Sequence, residues 1–161
     1  MALSATHYFG REQSFIKHHF LEHYLQRLIH KIASSYGHIV YVDGFSGPWM
    51  NRGDRFEDTS FGIALKALTD AKLSWAGMKT GAKSVRMTAH LVEQDPSAFG
   101  RLIELRKIFP DIEIITHNDN FIEIAAKIAS AIPVRALKAP LISILSTDAI
   151  IESNPPSAVS E

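Results

Sequence analysis

Apolar positions in the first quarter of the chain recur at helical spacing. Leu21, Leu25, Leu28, Ile29 and Ile32 fall on one stripe of a helix from about Glu12 to Tyr36, and Gly37 stands where such a helix stops. The pattern then changes. His38-Ile-Val-Tyr-Val-Asp43 is a β-branched run that reads as a buried strand, and it breaks into Gly44-Phe-Ser-Gly-Pro48, a turn with two glycines and a proline. Beyond the polar stretch Asn51 to Asp58, a second helix runs through Ile63, Ala64, Leu65 and Leu68, with Asp58, Thr59 or Ser60 as its cap. A polar connection from Gly77 to Ser84 leads to a second strand, Val85 to Val92, which ends at Glu93-Gln-Asp95. Pro96 suits the first turn of a third helix, Ser97 to Phe109. A third strand, Ile112 to Ile115, ends at His117-Asn-Asp-Asn120. A fourth helix, Phe121 to Ala131, and a fourth strand, Pro140 to Leu145, complete the pattern.

Strand and helix alternate after a long N-terminal helix. That order predicts an α/β, Rossmann-like fold, a parallel sheet with helices on both faces. The expected domain is 1–150. The segment 151–161, with Pro155, Pro156 and little apolar content, reads as a disordered tail. At 161 residues the chain is long enough for one domain with a sizeable core.

Composition narrows the chemistry. Lys plus Arg and Asp plus Glu both number 17, so the net charge gives no global pull toward nucleic acid or an anionic membrane. There is no cysteine, which excludes disulfides, thiolate metal sites and cysteine nucleophiles. Met1 to Gly10 lacks the pattern of a signal peptide and no apolar run is long enough to span a bilayer, so a cytoplasmic location without membrane contact is expected.

Ligands of open parallel sheets bind at the carboxyl ends of the strands. Three polar groups fall there: Asp43 with Gly44, Phe45, Ser46, Gly47 and Pro48; Glu93 with Gln94 and Asp95; and Asp119 with Asn118 and Asn120. Gly44 and Gly47 lack a Cβ, so backbone there can approach a ligand closely. Glu93 is placed to accept from both hydroxyls of a ribose. Asp119 or Asn120 is placed to reach an adenine amino group. An acid before the glycine turn suits a ligand with an ammonium group, whereas a pyrophosphate prefers bare backbone N–H groups at a helix N-terminus. Asp43 therefore favours S-adenosylmethionine (SAM) over NAD. The turn is not G-x-G-x-x-G, and Glu93 lies further on than the roughly 20 residues of the dinucleotide fingerprint.

Other residues are weaker candidates. The first helix, about 30 Å from Lys17 to Gly37 at about 1.5 Å per residue, outruns a first strand of about 17 Å. Its start is expected to overhang the strand's carboxyl end, which makes Gln13 and Lys17 candidates for a lid or a substrate contact. The alternative is a lysine that snorkels to solvent past the core edge. His19, His23 and His30 lie within about 40° on the polar face of that helix, at roughly 100° per residue. An i,i+4 histidine pair can bind zinc. With His30 the only further ligand in view, nearly two turns away, a solvated face is the better reading and no metal site is expected. His117 reads as a surface histidine, Trp75 and Met78 as packing residues.

Phe9-Gly-Arg-Glu-Gln-Ser14, Lys17-His18, Leu21-Glu-His-Tyr-Leu25, Tyr41-Val-Asp-Gly-Phe-Ser-Gly-Pro-Trp49 and Asp58-Thr-Ser-Phe-Gly-Ile-Ala-Leu65 resemble the three-Cys-motif partner proteins. The resemblance is densest from Phe9 to Leu68. It implies a class I SAM-dependent methyltransferase fold, SAM as cofactor, and association with a radical-SAM-like protein that bears three cysteines. Many members follow the proline with glycine where this chain has Trp49, a bulky residue at the methionine end of the implied pocket. The family also implies an acidic or Asp-Pro motif after the fourth strand, then further strands and helices. Here Leu145-Ser-Thr-Asp148 lacks the proline, and a truncation or shifted reading frame near Ala139 is the expectation that accounts for it, leaving an incomplete C-terminal half. The first reading is thus a SAM-binding methyltransferase-like protein with little or no turnover as this chain, with no catalytic residue assigned and the methyl acceptor unknown. The second is a non-catalytic partner module, whose incomplete sheet would favour homo-oligomers. The third is an NAD-type Rossmann domain.

Overall fold

The computed structural model describes residues 12–47, Phe56, 58–132 and 142–144. Helix α1 (Glu12–Ser35) leads into strand β1 (His38–Asp43). Then follow α2 (Ser60–Ala76), β2 (Arg86–Val92), α3 (Pro96–Leu102), α4 (Leu105–Ile108), β3 (Glu113–His117), α5 (Phe121–Ala131) and β4 (Ile142–Ile144). The strands form one sheet in the order β3-β2-β1-β4, and every neighbouring pair is parallel.

Side chains of β1 alternate between two apolar layers, as a strand's period of two requires. Ile39 and Tyr41 enter a large core with Leu25, Ile29 and Ile32 of α1, Phe61, Leu65 and Leu68 of α2, and Leu102 and Leu105 of α3 and α4. Val40 and Val42 face the other way, into a smaller core with Val92, Ile124, Ile128 and Ile132. The helices therefore cover both faces, with α1 to α4 on one and α5 on the other. β1 reads as continuously apolar because it is buried on both sides.

The second face is only partly apolar. At the amino ends of the strands it carries a polar ladder: the Arg86 guanidinium donates to Glu113 Oε2 through Nε (3.1 Å) and Nη2 (2.8 Å). Thr88 Oγ1 donates to the same oxygen at 3.0 Å and lies 2.9 Å from His38 Nε2. Because the Thr88 hydroxyl gives its proton to Glu113, His38 Nε2 is the donor in its own contact.

Caps set the helix starts. Thr59 Oγ1 accepts from Gly62 N at 3.1 Å, so Thr59 is the cap among the three candidates for α2. Asp95 accepts from Ser97 N and Ala98 N, and Asn120 from Ile122 N. One element departs from expectation. The helix expected from Ser97 to Phe109 is two helices, because Glu104 N bonds to Arg101 O at 3.3 Å, an i to i−3 turn that interrupts the α ladder at Ile103. Strand β3 also begins and ends later than expected, at Glu113 and His117. The expected tail 151–161 lies outside the described residues.

The topology singles out one place. From β1 the chain steps outward to β2 and β3 with its helices on one face. It then crosses by α5 on the opposite face to set β4 on the other side of β1, where Asp43 pairs with Ile144. The strand order reverses between β1 and β4, so their carboxyl ends form the switch point where open α/β sheets bind ligands.

Candidate functional site at the strand ends

Asp43 closes β1 at that switch point and is fully buried. Its Oδ1 accepts from Phe45 N at 3.0 Å, and its Oδ2 accepts from the hydroxyls of Tyr41 (3.0 Å) and Ser60 (3.1 Å). Burial pushes the Asp43 carboxyl above the ordinary range, against these hydrogen bonds, which lower it. The same burial, with the Asp43 charge beside it, raises the Tyr41 phenol well above its usual value. The carboxylate thus faces inward. It holds the following turn and the first residue of α2, rather than opening toward solvent as a direct ammonium contact.

The turn folds across the neighbouring strand. Ser46 N donates to Val92 O at 2.8 Å, and Ser46 Oγ to Asp43 O at 3.1 Å. This bond lays Phe45, Ser46 and Gly47 beside the end of β2, where Glu93 follows. Glu93 is buried; its Oε1 accepts from Asp95 N at 2.7 Å, while its backbone N–H donates to His117 O at 3.0 Å. Asn118 Nδ2 bonds Glu93 O at 2.8 Å and Gln94 O at 3.2 Å, tying the ends of β2 and β3 together. The Asp43 turn, Glu93 and Gln94, and Asp119 and Asn120 therefore do gather along one edge of the sheet. Asn120 is already committed: its side chain caps α5 and reaches Gln94 Oε1 at 3.4 Å. Asp119 Oδ1 accepts from Asn120 N, a bond within the loop.

The space above Gly44 has an occupant that the sequence did not reveal. A Cβ at Gly44 would lie 2.7–3.0 Å from three ring carbons of Phe121, and that ring also tilts against Phe45 at 6.2 Å. Glycine is needed here for an aromatic side chain, not for a ligand. Gly44→Ala is expected to cost about 1–3 kcal/mol by overpacking. The loss should be largely relieved when Phe121→Ala is added, and urea unfolding of the two single variants and the double variant measures the coupling. Additive losses would sink the Phe121 contact as the cause.

Behind this edge, on the α5 side, His90 and His117 face one another. Their rings are stacked (5.3 Å, 10°) with His90 Nδ1 3.1 Å from His117 Nε2, so one nitrogen donates and the other accepts. They line a cavity of about 230 Å³ with Asp119, Ile124, Lys127, Ile128 and Ala131. His117 is thus half-buried and paired, not a surface histidine. His90 carries no signal of its own inside the apolar run of β2; only the register that sets β2 against β3 brings the two together. Burial is the leading cause that lowers both histidines, and His38, below the ordinary imidazole range. A depressed histidine stabilises the fold above its unfolded pKa, and that contribution is lost as pH falls through the folded value. Stability to urea should therefore drop as pH falls from 7 through about 6.5 toward 5, with a shallower fall in His117→Gln. An equal slope in that variant would count against the pair.

Other candidates are more scattered. Lys17 is exposed near the start of α1 and Gln13 lies in its first turn. Pro48, Trp49 and Asp148 lie outside the described residues. Trp75 packs on the large core and tilts against His30 at 6.4 Å, while Met78 is exposed. His30 is therefore turned to Trp75, and the third group beside His19 and His23 is Glu22. Among the described residues no helix is long and apolar enough to cross a membrane. No known protein family, curated protein or solved structure matches the chain.

Proposed function

We propose that the chain binds SAM at the β1–β4 switch point, as the cofactor-holding part of a class I methyltransferase-like protein of the three-Cys-motif partner type. The observation that carries this reading is the Asp43–Gly47 turn, bonded by Ser46 N to Val92 O so that it lies beside Glu93. A buried carboxylate with a raised pKa at a strand's carboxyl end stabilises nothing by its charge, which marks it as a functional candidate. The residues fit the group. Among the described residues only one carboxylate oxygen of Glu93 is bonded, by Asp95 N, which leaves the other for a ribose diol. Asp119 is the better placed acceptor for an adenine amino group, since the Asn120 side chain is committed to its cap. The negative edge suits a cationic sulfonium amino acid and repels a pyrophosphate, which disfavours NAD. When bound, SAM supplies an electrophilic methyl group. The work of this edge is then positioning, and no residue is assigned to proton transfer. Gln13 and Lys17 remain candidates for the acceptor side.

Calorimetric titration of SAM and, separately, NAD tests the reading. Saturable binding of SAM alone, lost in Asp43→Ala and Glu93→Ala, is expected. Binding of NAD, or no SAM binding by the folded chain, overturns it.

A second reading has its own observation. Ile16, Phe20 and Tyr24 stand one helical turn apart on α1 and are exposed at 68%, 71% and 52%. An apolar ridge of this kind favours a module that associates with another protein, here one of the radical-SAM-like type, or with a second copy. Absence of SAM binding together with such association would put this reading first.

A further inference from the structure

One turn of α1 carries metal-capable side chains that SAM binding does not use. His19, Glu22 and His23 stand at i, i+3 and i+4, and one ligand atom from each lies within 4.8 Å of the others. The histidines are exposed and Glu22 is half-buried, so the carboxylate backs the group and the imidazoles meet solvent. His23 Nδ1 lies 2.9 Å from the backbone oxygen of His19. A carbonyl only accepts, so Nδ1 carries the proton and the lone pair is on Nε2. Metal-ligating histidines are commonly oriented by such a bond from their other ring nitrogen. Phe15 stacks on the His19 ring at 5.8 Å and 23°, which restrains the second imidazole.

We infer that His19, Glu22 and His23 form a site for a divalent transition cation, best suited to Zn²⁺, with a fourth position open to water. Two imidazole nitrogens and one carboxylate oxygen are a donor set that zinc takes with three protein ligands. Calcium and magnesium ask for oxygen alone. Bonds of about 2.0–2.1 Å in a tetrahedron set ligand atoms about 3.4 Å apart, so the group must draw in from separations of up to 4.8 Å, which rotamer changes in the two exposed imidazoles can supply. Glu22 supplies what the solvated-face reading lacked, a third ligand on the same turn.

The test is a calorimetric titration of Zn²⁺ into the metal-free full-length chain, with Co²⁺ as a spectroscopic probe. One Zn²⁺ per chain is expected, together with visible Co²⁺ absorption that Zn²⁺ abolishes. His19→Ala and His23→Ala should each weaken binding on the order of 100-fold, and Glu22→Gln about 10-fold. His30→Ala should leave it unchanged. Circular dichroism of each variant confirms that the helix persists. No saturable binding overturns the site, and so does binding undiminished in either histidine variant. Affinity unchanged in Glu22→Gln removes the third ligand and the site as stated.

Discussion

Replacing Asp43 with asparagine should leave the chain at least as stable as the wild type at pH 7 and, where SAM binds as proposed, lower that affinity about 10- to 100-fold. Both effects come from one feature, a buried charge with no cation beside it among the described residues. Asp43 is fully buried, and its partners are two hydroxyls and a backbone N–H. Its pKa is raised, with burial the first cause. A carboxyl raised in this way contributes its full stability below the unfolded pKa and loses it as pH rises through the folded one, so the ionised group is a cost at neutrality. Asparagine keeps an oxygen for Phe45 N and offers an amide to the Tyr41 and Ser60 hydroxyls, which can rotate to accept. The charge alone is removed. The buried carboxylate does not touch the ligand, so its contribution is Coulombic: at an effective dielectric of about 20, a charge about 6–10 Å away acts on a cation with about 1.7–2.8 kcal/mol, or about 10- to 100-fold in affinity. Urea unfolding and calorimetry of the same preparation measure both. If the Asp43→Asn variant binds SAM as tightly as the wild type, Asp43 is reduced to a holder of the turn. A clear loss of stability would show that the hydrogen bonds needed the carboxylate.

Much of the fold was legible because its signals are local. α1, β1 and α5 stand where period and caps put them, since a continuous apolar run rich in β-branched residues, such as Ile39 to Val42, has few other ways to be satisfied. The division of the third helix was not legible. Ser97 to Phe109 keeps helical periodicity throughout, and only the Glu104 to Arg101 bond shows the break. The three acidic strand ends could be grouped because alternation implies a parallel sheet, and a parallel sheet aligns its carboxyl ends.

What lay beyond reach was anything that depends on a partner far along the chain. Gly44 reads as room for a ligand, yet Phe121 fills it from the start of α5. His90 reads as one more residue of a buried strand, until the register sets it against His117. Glu22 is a different case. It lies within helical reach of both His19 and His23, so its signal is local, but a carboxylate on a solvated face is too common to stand out until its oxygen is seen beside both imidazoles.

Gly62→Ala is expected to be the most damaging single methyl in the described residues, costing about 3 kcal/mol and lowering Tm by about 6–12 °C. Gly62 lies in the first turn of α2, where alanine would ordinarily be the better helix former. Packing outweighs propensity here. A Cβ would overlap the backbone oxygen of Phe56 and sit 2.8 Å from its carbonyl carbon and 2.9 Å from Thr59 Oγ1. None of these is the loose end of a side chain. The Phe56 oxygen is bonded by Thr59 N at 3.1 Å and Thr59 Oγ1 at 2.7 Å, and that hydroxyl caps Gly62 N. Phe56 itself has φ 56°, a region in which non-glycine residues are strained, and its buried ring packs on Phe61 at 5.6 Å beneath the Arg101 guanidinium at 5.5 Å. The approach of Phe56 to the helix is thus held by the bonds to its carbonyl and by the packing of its ring, and does not yield cheaply. Gly100→Ala is the control. Gly100 is also helical, in α3, but nothing lies within 4 Å of its added methyl, so the same substitution there should stabilise by about 0.5–1 kcal/mol. Thermal unfolding of the two variants separates the causes. Opposite signs mean that the Phe56 carbonyl dictates glycine at 62, and two small shifts of the same sign would mean that the loop has slack and the contact is incidental.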